Sequence, residues 1–366
     1  MTRRRDGRAV CERSPRFVNA PGYAASEESW ATASPLPNRG SVPSHVCILC
    51  DFRRGYDQTR MDSEKFIIAP TALGRVAVGL IRSMRPKQWT KNIFIFAALV
   101  FDGKLFQPVP LINTLIGFAV LCLLSSAVYL INDCADVNAD RAHPTKRHRP
   151  IARGDVPIPL AAGWAVVLVV IGLVIGFALE ARFGAIAAGY FLLTTLYTFS
   201  LKHLVILDVI VLAAGFVLRV AAGTPLVAAE RFSPWLYTCM GLLALLIGFG
   251  KRRAELVEMA GAKATREALG DYSLALLDQV IAIVTGALIV SYTFYTFSAP
   301  QLPPNHAMML TVPFVIYGLF RYLYLVHVRG QGGAPDELAL KDRPLQATFV
   351  LWGALAIVVL YVLPPA

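Results

Sequence analysis

Nine apolar stretches fill the chain beyond residue 61, near 92–107, 110–131, 160–179, 183–200, 205–224, 234–250, 276–298, 308–327 and 346–364. Several reach the ~20 residues a helix needs to cross the hydrocarbon of a bilayer. The first is short and ragged, with Asp102 and Lys104 near its end. Lipid cannot satisfy exposed backbone groups, so each stretch is expected to be helical. Nothing resembles the alternating pattern of a membrane barrel. Composition agrees, with 56% hydrophobic and 16% charged residues against ~25% charged in soluble domains. The expected fold class is an all-α polytopic membrane protein of about nine transmembrane helices.

Charge orients the spans. If the segment before the first span is cytoplasmic, segments 61–91, 132–159, 201–204, 251–275 and 329–345 are too, and together they carry 20 Lys and Arg. The opposite loops carry only Lys104, Arg182 and Arg231. This positive-inside bias accounts for much of the net charge of +11, so no nucleic-acid partner is expected. Nine spans would place the C-terminus outside. The expected location is the cell (inner) membrane, multi-pass, with the polar machinery facing the cytoplasm. The six cysteines do not form a disulfide framework, because Cys122, Cys134 and Cys239 fall in or beside apolar spans.

Residues 1–60 differ in kind. They hold ten Arg, no Lys and no periodic apolar pattern. This segment is expected to be disordered, and an over-extended start before Met61 would account for it. His45, Cys47 and Cys50 lack the second pair that would complete a zinc site. Residues 61–366 are read as one transmembrane catalytic domain.

The second span runs into Asn132, Asp133, Asp136 and Asp140. On a continuous helix at about 100° per residue these four share an arc of about 100°, while Asn138 points away. Three carboxylates on one face at a membrane boundary repel one another unless cations neutralise them, and such acids are usually functional. An oxygen-only donor set suits Mg²⁺, which takes a few carboxylates plus phosphate oxygens. A basic run follows at Arg141, His143, Lys146, Arg147, His148, Arg149 and Arg153. Pro144 should end the helix near His143, which puts the cations on a turn beside the acids. Metal on one side and direct phosphate contacts on the other would suit a Mg²⁺-bound diphosphate; the plainer reading makes the cations topological anchors. Lys87 and Lys91, four apart, would share a helical face and either clamp phosphate or anchor the first span. Arg219, inside the fifth span, is a functional candidate or a residue that snorkels outward. Trp89, Trp235 and Trp352 read as interface or core aromatics.

The run Asn132-Asp133-x-x-Asp136-x-x-x-Asp140, with Arg141-x-His143-Pro144-x-Lys146-Arg147-x-Arg149-Pro150-Ile151-Ala152-x-Gly154 behind it, resembles the first aspartate motif of the UbiA-type intramembrane prenyltransferase superfamily. Further blocks resemble the branch that transfers phosphoribosyl to decaprenyl phosphate. They are Arg85-Pro86-Lys87-Gln88-Trp89-x-Lys91-Asn92, Leu201-Lys202-His203 with Asp208, Gly215-Phe216-x-x-Arg219, Gly250-Lys251-Arg252-x-x-Glu255-Leu256 and Ala339-Leu340-x-Asp342-Arg343. The resemblance covers about residues 80–366 and implies a UbiA-like bundle.

It also implies metal ligation by Asn132, Asp133, Asp136 and Asp140. Catalytic roles would fall to the three aspartates, Lys87 and Lys146. Substrate contacts would come from Lys91, Arg147, Arg149, Tyr197, Lys202, Lys251, Arg252 and Glu255. Mg²⁺ would be the cofactor, with phosphoribosyl diphosphate and a polyprenyl phosphate lipid as partners; homo-oligomerisation is left open. Many members carry a second aspartate-rich motif after the sixth span, where this chain reads Lys251-Arg252-Arg253-Ala254-Glu255-Leu256-Val257-Glu258. The extra cations suit a donor bearing an additional sugar phosphate. The Tyr197-to-Lys202 interval is one residue longer than the superfamily's. The resemblance leaves an alternative in which a polyprenyl diphosphate is the donor and an aromatic ring the acceptor, for a quinone or haem tail. A transporter of anionic lipid is the third reading, but no clear internal repeat supports it.

Overall fold

The computed structural model describes residues 70–228, 233–258, 271–300, 302–333, 338 and 341–362. The readings for residues 1–60, His45, Cys47 and Cys50 lie outside these residues. Everything described belongs to the compact unit Ile68–Ala366, and among the described residues there is no strand.

In chain order the helices are α1 (Pro70–Ser83), a 3-10 helix at Pro86–Ile95, α2 (Phe96–Phe101), α3 (Pro108–Ala135), α4 (Val137–Ala142) and α5 (Pro150–Arg153). They continue with α6 (Ile158–Leu179), α7 (Ala181–Phe199), α8 (Leu207–Leu226), α9 (Pro234–Glu258), α10 (Leu274–Ser298), α11 (Val312–His327) and α12 (Arg343–Ile357). Among the described residues, seven segments are long and apolar enough to cross a membrane: α3, α6, α8, α9, α10, Ala307–His327 and Arg343–Val362. The expected nine is therefore not reproduced by that measure. α7 has the length, but Arg182, Tyr190, Thr194, Thr195, Tyr197 and Thr198 dilute it. The first span, near 92–107, opens on the last four residues of the 3-10 helix Pro86–Ile95 and continues as six residues of α-helix, Phe96–Phe101.

That 3-10 geometry changes the reading of Lys87 and Lys91. With three residues per turn, positions four apart are rotated by about 120° and do not share a face. Lys87 is exposed and Lys91 half-buried.

Large apolar side chains cover the outside as well as the core, with Ile283 70% and Val350 68% exposed. A soluble surface of that kind would associate; in lipid it is the ordinary exterior. Helix association in lipid leans on close packing and small residues, and two glycines show it. A Cβ on Gly223 of α8 would lie 2.2 Å from the Ile95 carbonyl oxygen, and one on Gly184 of α7 would lie 2.9 Å from Phe177 Cα. One core cluster joins the first span, α3, α7 and α8 through Ile95, Leu121, Leu124, Phe183 and Ala222. Another joins α9 and α10 through Leu246, Leu277, Ile281 and Tyr295.

Arg219 does not snorkel. It is 9% exposed, with Nε donating to Asn92 Oδ1 at 2.9 Å and Nη2 to the Tyr190 hydroxyl at 2.8 Å. Its guanidinium lies over the rings of Tyr190 and Phe216. Asn92 in turn donates toward Cys122 Sγ and Ser125 Oγ, so one polar cluster ties the first span to α3, α7 and α8. Trp89 donates to Ser126 of α3 and Trp352 to Tyr292 of α10, which places both among the structural aromatics. Trp235 stacks on Phe294.

Candidate active site

The acidic face forms where α3 meets α4. Asp133 lies on the last turn of α3 and Asp140 on α4, each 2% exposed. Asp136 stands between the helices with φ −89° and ψ 8°. The helix is thus loosened at the middle aspartate, where the continuous-helix reading expects regular geometry. Its hydrogen-bond ladder persists, since Asp136 N donates to Asn132 O at 2.9 Å and Asp140 N to Asp136 O at 2.8 Å.

Beyond α4 the chain turns as Pro144 requires. His143 is extended, at φ −86° and ψ 133°, and its Nδ1 accepts from the backbone of Thr145 and Lys146. A short 3-10 turn, Lys146–His148, then leads to Arg149. Arg141 Nε holds the Ala152 carbonyl at 3.1 Å. Gly154, at φ 90°, closes α5 in a conformation that favours glycine. The effect is to send Arg149 back onto the acids while Lys146 and Arg147 stay exposed.

Every aspartate meets a cation. Arg149 Nη1 bridges Asp140 Oδ2 at 2.6 Å and Asp133 Oδ1 at 3.1 Å. Arg85 Nη2 reaches the same Asp133 oxygen at 2.5 Å and lies 4.7 Å from the Tyr129 ring centroid. Lys202 Nζ, on the turn between α7 and α8, contacts both oxygens of Asp136 at 3.0 and 3.2 Å. Arg85 is the member that sequence reasoning passed over. It precedes Pro86 in the same block as Lys87 and Lys91, and its charge alone does not distinguish it from them.

A second ionic group caps α8 and α9. Arg252, 3% exposed, donates from Nε to Asp208 Oδ2 at 2.7 Å and from Nη1 to Glu255 Oε2 at 2.6 Å. Tyr272 donates its hydroxyl to Asp208 Oδ1 at 2.9 Å and accepts from Ile206 N at 2.6 Å. Burial, reinforced by the Asp208 carboxylate, pushes the Tyr272 phenol well above its usual range. Lys251 is exposed, so the expectation of Lys251 and Arg252 as twin phosphate ligands divides: Arg252 is embedded among carboxylates, and the α9 helix turns Lys251 outward. Tyr197, half-buried, lies within electrostatic range of Arg252. Asp208 stands in one of the resemblance blocks but Tyr272 in none, and their pairing is made by the fold across 64 residues.

An apolar cavity of about 600 Å³ adjoins the acidic end of α3, lined by Ile131, Cys134, Ala135, Val166, Phe191 and Phe199 among others. Among the described residues no three acidic, His or Cys side chains converge on one point to form a ready metal cluster. The donor chemistry nevertheless fits a hard divalent ion: three carboxylates and an amide, all offering oxygen, with no thiolate or imidazole among them.

An all-helical membrane bundle with ion-paired aspartates at the polar end of one span fits a multi-pass membrane protein of the intramembrane prenyltransferase type. The chain belongs to the UbiA prenyltransferase family, which residues 92–336 match. It is 37% identical over 310 residues to the decaprenyl-phosphate phosphoribosyltransferase of Mycolicibacterium smegmatis, covering 81% of this chain and 96% of that one. The Corynebacterium glutamicum protein of the same name is 35% identical over 298 residues, covering 79% and 89%. The Mycobacterium tuberculosis one is 34% identical over 297, covering 79% and 96%. Among solved structures, a UbiA homologue from Archaeoglobus fulgidus bound to GPP and Mg²⁺ superposes with a TM-score of 0.60 at 17% identity, over 77% of this chain and 99% of that chain. That likeness bears on the fold alone.

Proposed function

We propose that this protein transfers a 5-phosphoribosyl group from phosphoribosyl diphosphate to a polyprenyl phosphate of the decaprenyl type. The products are polyprenyl-phosphoryl-5-phosphoribose and diphosphate, and the lipid serves as a precursor for cell-wall arabinan. The observation that carries the reading is the shared identity with three decaprenyl-phosphate phosphoribosyltransferases along nearly their whole lengths. The cation-rich stretch near the end of α9, at Lys251, Arg252 and Arg253, supports it over the aromatic-acceptor alternative.

In this reading Asn132, Asp133, Asp136 and Asp140 hold Mg²⁺, which supplies charge neutralisation at the departing diphosphate. Arg149, Lys146, Arg147 and Lys87 offer direct contacts to the same phosphates. Lys91, Lys202, Tyr197, Lys251 and Glu255 complete the polar walls, with Arg252 fixing Glu255. C1 of the ribose becomes oxocarbenium-like as its bond to the leaving oxygen lengthens. The lipid phosphate oxygen attacks from the opposite face and inverts that carbon. It is already anionic, so no strong base is required, and rate enhancement rests on positioning and electrostatics. The apolar cavity beside α3 offers room for isoprenoid units next to the ionic end. The active end faces the cytoplasm of the inner membrane, as the positive-inside bias indicates.

The test is purified protein in detergent with radiolabelled phosphoribosyl diphosphate, a polyprenyl phosphate and Mg²⁺. A labelled lipid is expected. A folded preparation that forms none, yet prenylates an aromatic acid from a polyprenyl diphosphate, would reverse the roles of the substrates.

A further inference from the structure

We propose that Arg85, Arg149 and Lys202 close the three aspartates to a bare divalent cation. In this proposal they turn to phosphate oxygens only when that cation arrives with a diphosphate, and Arg85 is the first of the three to move. The inference rests on the reading of a diphosphate substrate and adds how the site admits it.

The charges balance. Three carboxylates at Asp133, Asp136 and Asp140 are met by three cations at contact distance. A divalent ion approaching alone sees a nearly neutral site and must displace a formed pair to gain a ligand. A free diphosphate meets the same difficulty from the other side, since its prospective donors are engaged. A metal and a diphosphate together resolve both problems, because each carboxylate exchanges a cation for the metal and each cation exchanges a carboxylate for a phosphate oxygen. Charge-assisted bonds to phosphate are at least as favourable as those given up.

Arg85 is the partner best placed to move. Asp133 Oδ1 receives two guanidinium groups, so losing one leaves it paired with Arg149. Arg149 spans two carboxylates and would forfeit both. The Arg85 side chain is 28% exposed, whereas that of Asp133 is 2% exposed. The Tyr129 ring supports the guanidinium without using its charge on an acid. The backbone of Arg85 is left-handed, at φ 54° and ψ 62°. That conformation is costly for a residue with a Cβ, and Pro86 behind it favours an extended one. The residue stands in the joint between α1 and the 3-10 helix, where its N–H donates to the Arg82 carbonyl at 3.1 Å and its carbonyl accepts from Gln88 N at 2.8 Å, so a change of φ and ψ touches only these two end bonds and leaves the interior of both helices intact. Trp89, bonded to Ser126 at 3.0 Å, and Ser126, bonded to the Met84 carbonyl at 3.3 Å, fix the two sides of that joint to α3. If the pairs were instead permanent struts, Arg85 would matter for stability and have no bearing on how metal binds.

Equilibrium dialysis of the full-length protein in detergent against Mn²⁺, with and without inorganic diphosphate, separates the two. Wild-type protein should retain little Mn²⁺ alone and bind it at least about tenfold more tightly with diphosphate, the scale of one charge-assisted hydrogen bond. Arg85→Gln should bind Mn²⁺ alone at least about tenfold more tightly than wild type, with a smaller gain on adding diphosphate. Arg85→Lys keeps the charge and should behave as wild type. Lys202→Gln makes the same test at Asp136 should Arg85→Gln fail to fold. Tight binding of Mn²⁺ alone by wild type overturns the proposal, as does an Arg85→Gln protein that binds bare Mn²⁺ no better. Diphosphate-dependent Mn²⁺ binding without any labelled lipid product would leave the exchange standing and remove the transfer reading. Labelled product from a protein that binds Mn²⁺ equally well alone would do the reverse.

Discussion

A guanidinium taken out of water needs its charge answered, and Arg252 is answered twice, by Asp208 and Glu255. Arg252→Ala would leave Asp208 buried with only the Tyr272 hydroxyl, a loss of ~3–5 kcal/mol on the scale of broken buried pairs, seen as a lower melting temperature in detergent. Lys251→Ala next to it should leave the melting temperature unchanged and raise the KM for phosphoribosyl diphosphate; equal effects at both positions would make the two residues one unit. At the aspartates the expected behaviour is opposite. Asp133→Asn and Asp140→Asn keep shape and hydrogen bonding, so the proteins should fold but nearly lose turnover. A chelator should silence wild type and added Mg²⁺ restore it, whereas wild-type rates in chelator would exclude the metal mechanism. The acids were legible because three of them at helical spacing have no use in lipid. Arg85 and Asp208 stand in the resemblance blocks, but their roles were not legible, since one arginine before a proline and one aspartate at a helix start look ordinary until their partners, 48 and 44 residues away, are placed.

Among the elements, the first span departs most from expectation. Apolar content alone cannot separate a 3-10 helix from an α-helix, and ten residues of the tighter form are unusual. Tertiary bonds hold it: Asn92 to Arg219, Trp89 to Ser126, and the Ile95 carbonyl seated on Gly223. Gly223→Ala sets a methyl against backbone, which cannot step aside as a side chain can. It should cost ~1–3 kcal/mol as overpacking does, measured as lower thermal stability, while Gly163→Ala, with open space around it, serves as the control. Helix α12 is set by Asp342, whose Oδ1 caps Leu345 N at 2.9 Å and whose two oxygens take Arg321 of α11. The Arg321 hydrogen bonds hold the Asp342 carboxyl below its usual range. A lowered folded value means that this contribution is complete above the ordinary carboxylate pKa of ~4 and fades as pH falls through the lowered one. The melting-temperature gap between wild type and Asp342→Asn should accordingly be steady near neutrality and shrink below pH ~4; a gap that does not move would assign the residue a purely steric role.

For the molecule as a whole, most of the architecture was readable from apolar length and from the crowding of Lys and Arg into alternate loops. The count of nine is not reproduced by apolar length among the described residues, in part because α7 carries tyrosines and threonines whose hydroxyls bond its own backbone, at Thr194 and Thr198, or another helix, at Tyr190. Tyr190 is the plain case, buried against Arg219. The burial of Arg219 has a consequence for how the protein is made. A cation near mid-span costs a nascent segment ~2.5–3.5 kcal/mol at the translocon, and α8 carries one. Its partners, Asn92 and Tyr190, both precede it in the chain and have already been synthesised when Arg219 emerges. Helix α8 is thereby expected to enter the bilayer against waiting segments, in an order written into the direction of translation. In an insertion reporter, α8 alone should integrate less efficiently than α8 preceded by residues 70–206, and Arg219→Leu should erase the difference. Equal integration of the lone wild-type segment would mean that the helix enters first and finds its partners afterwards.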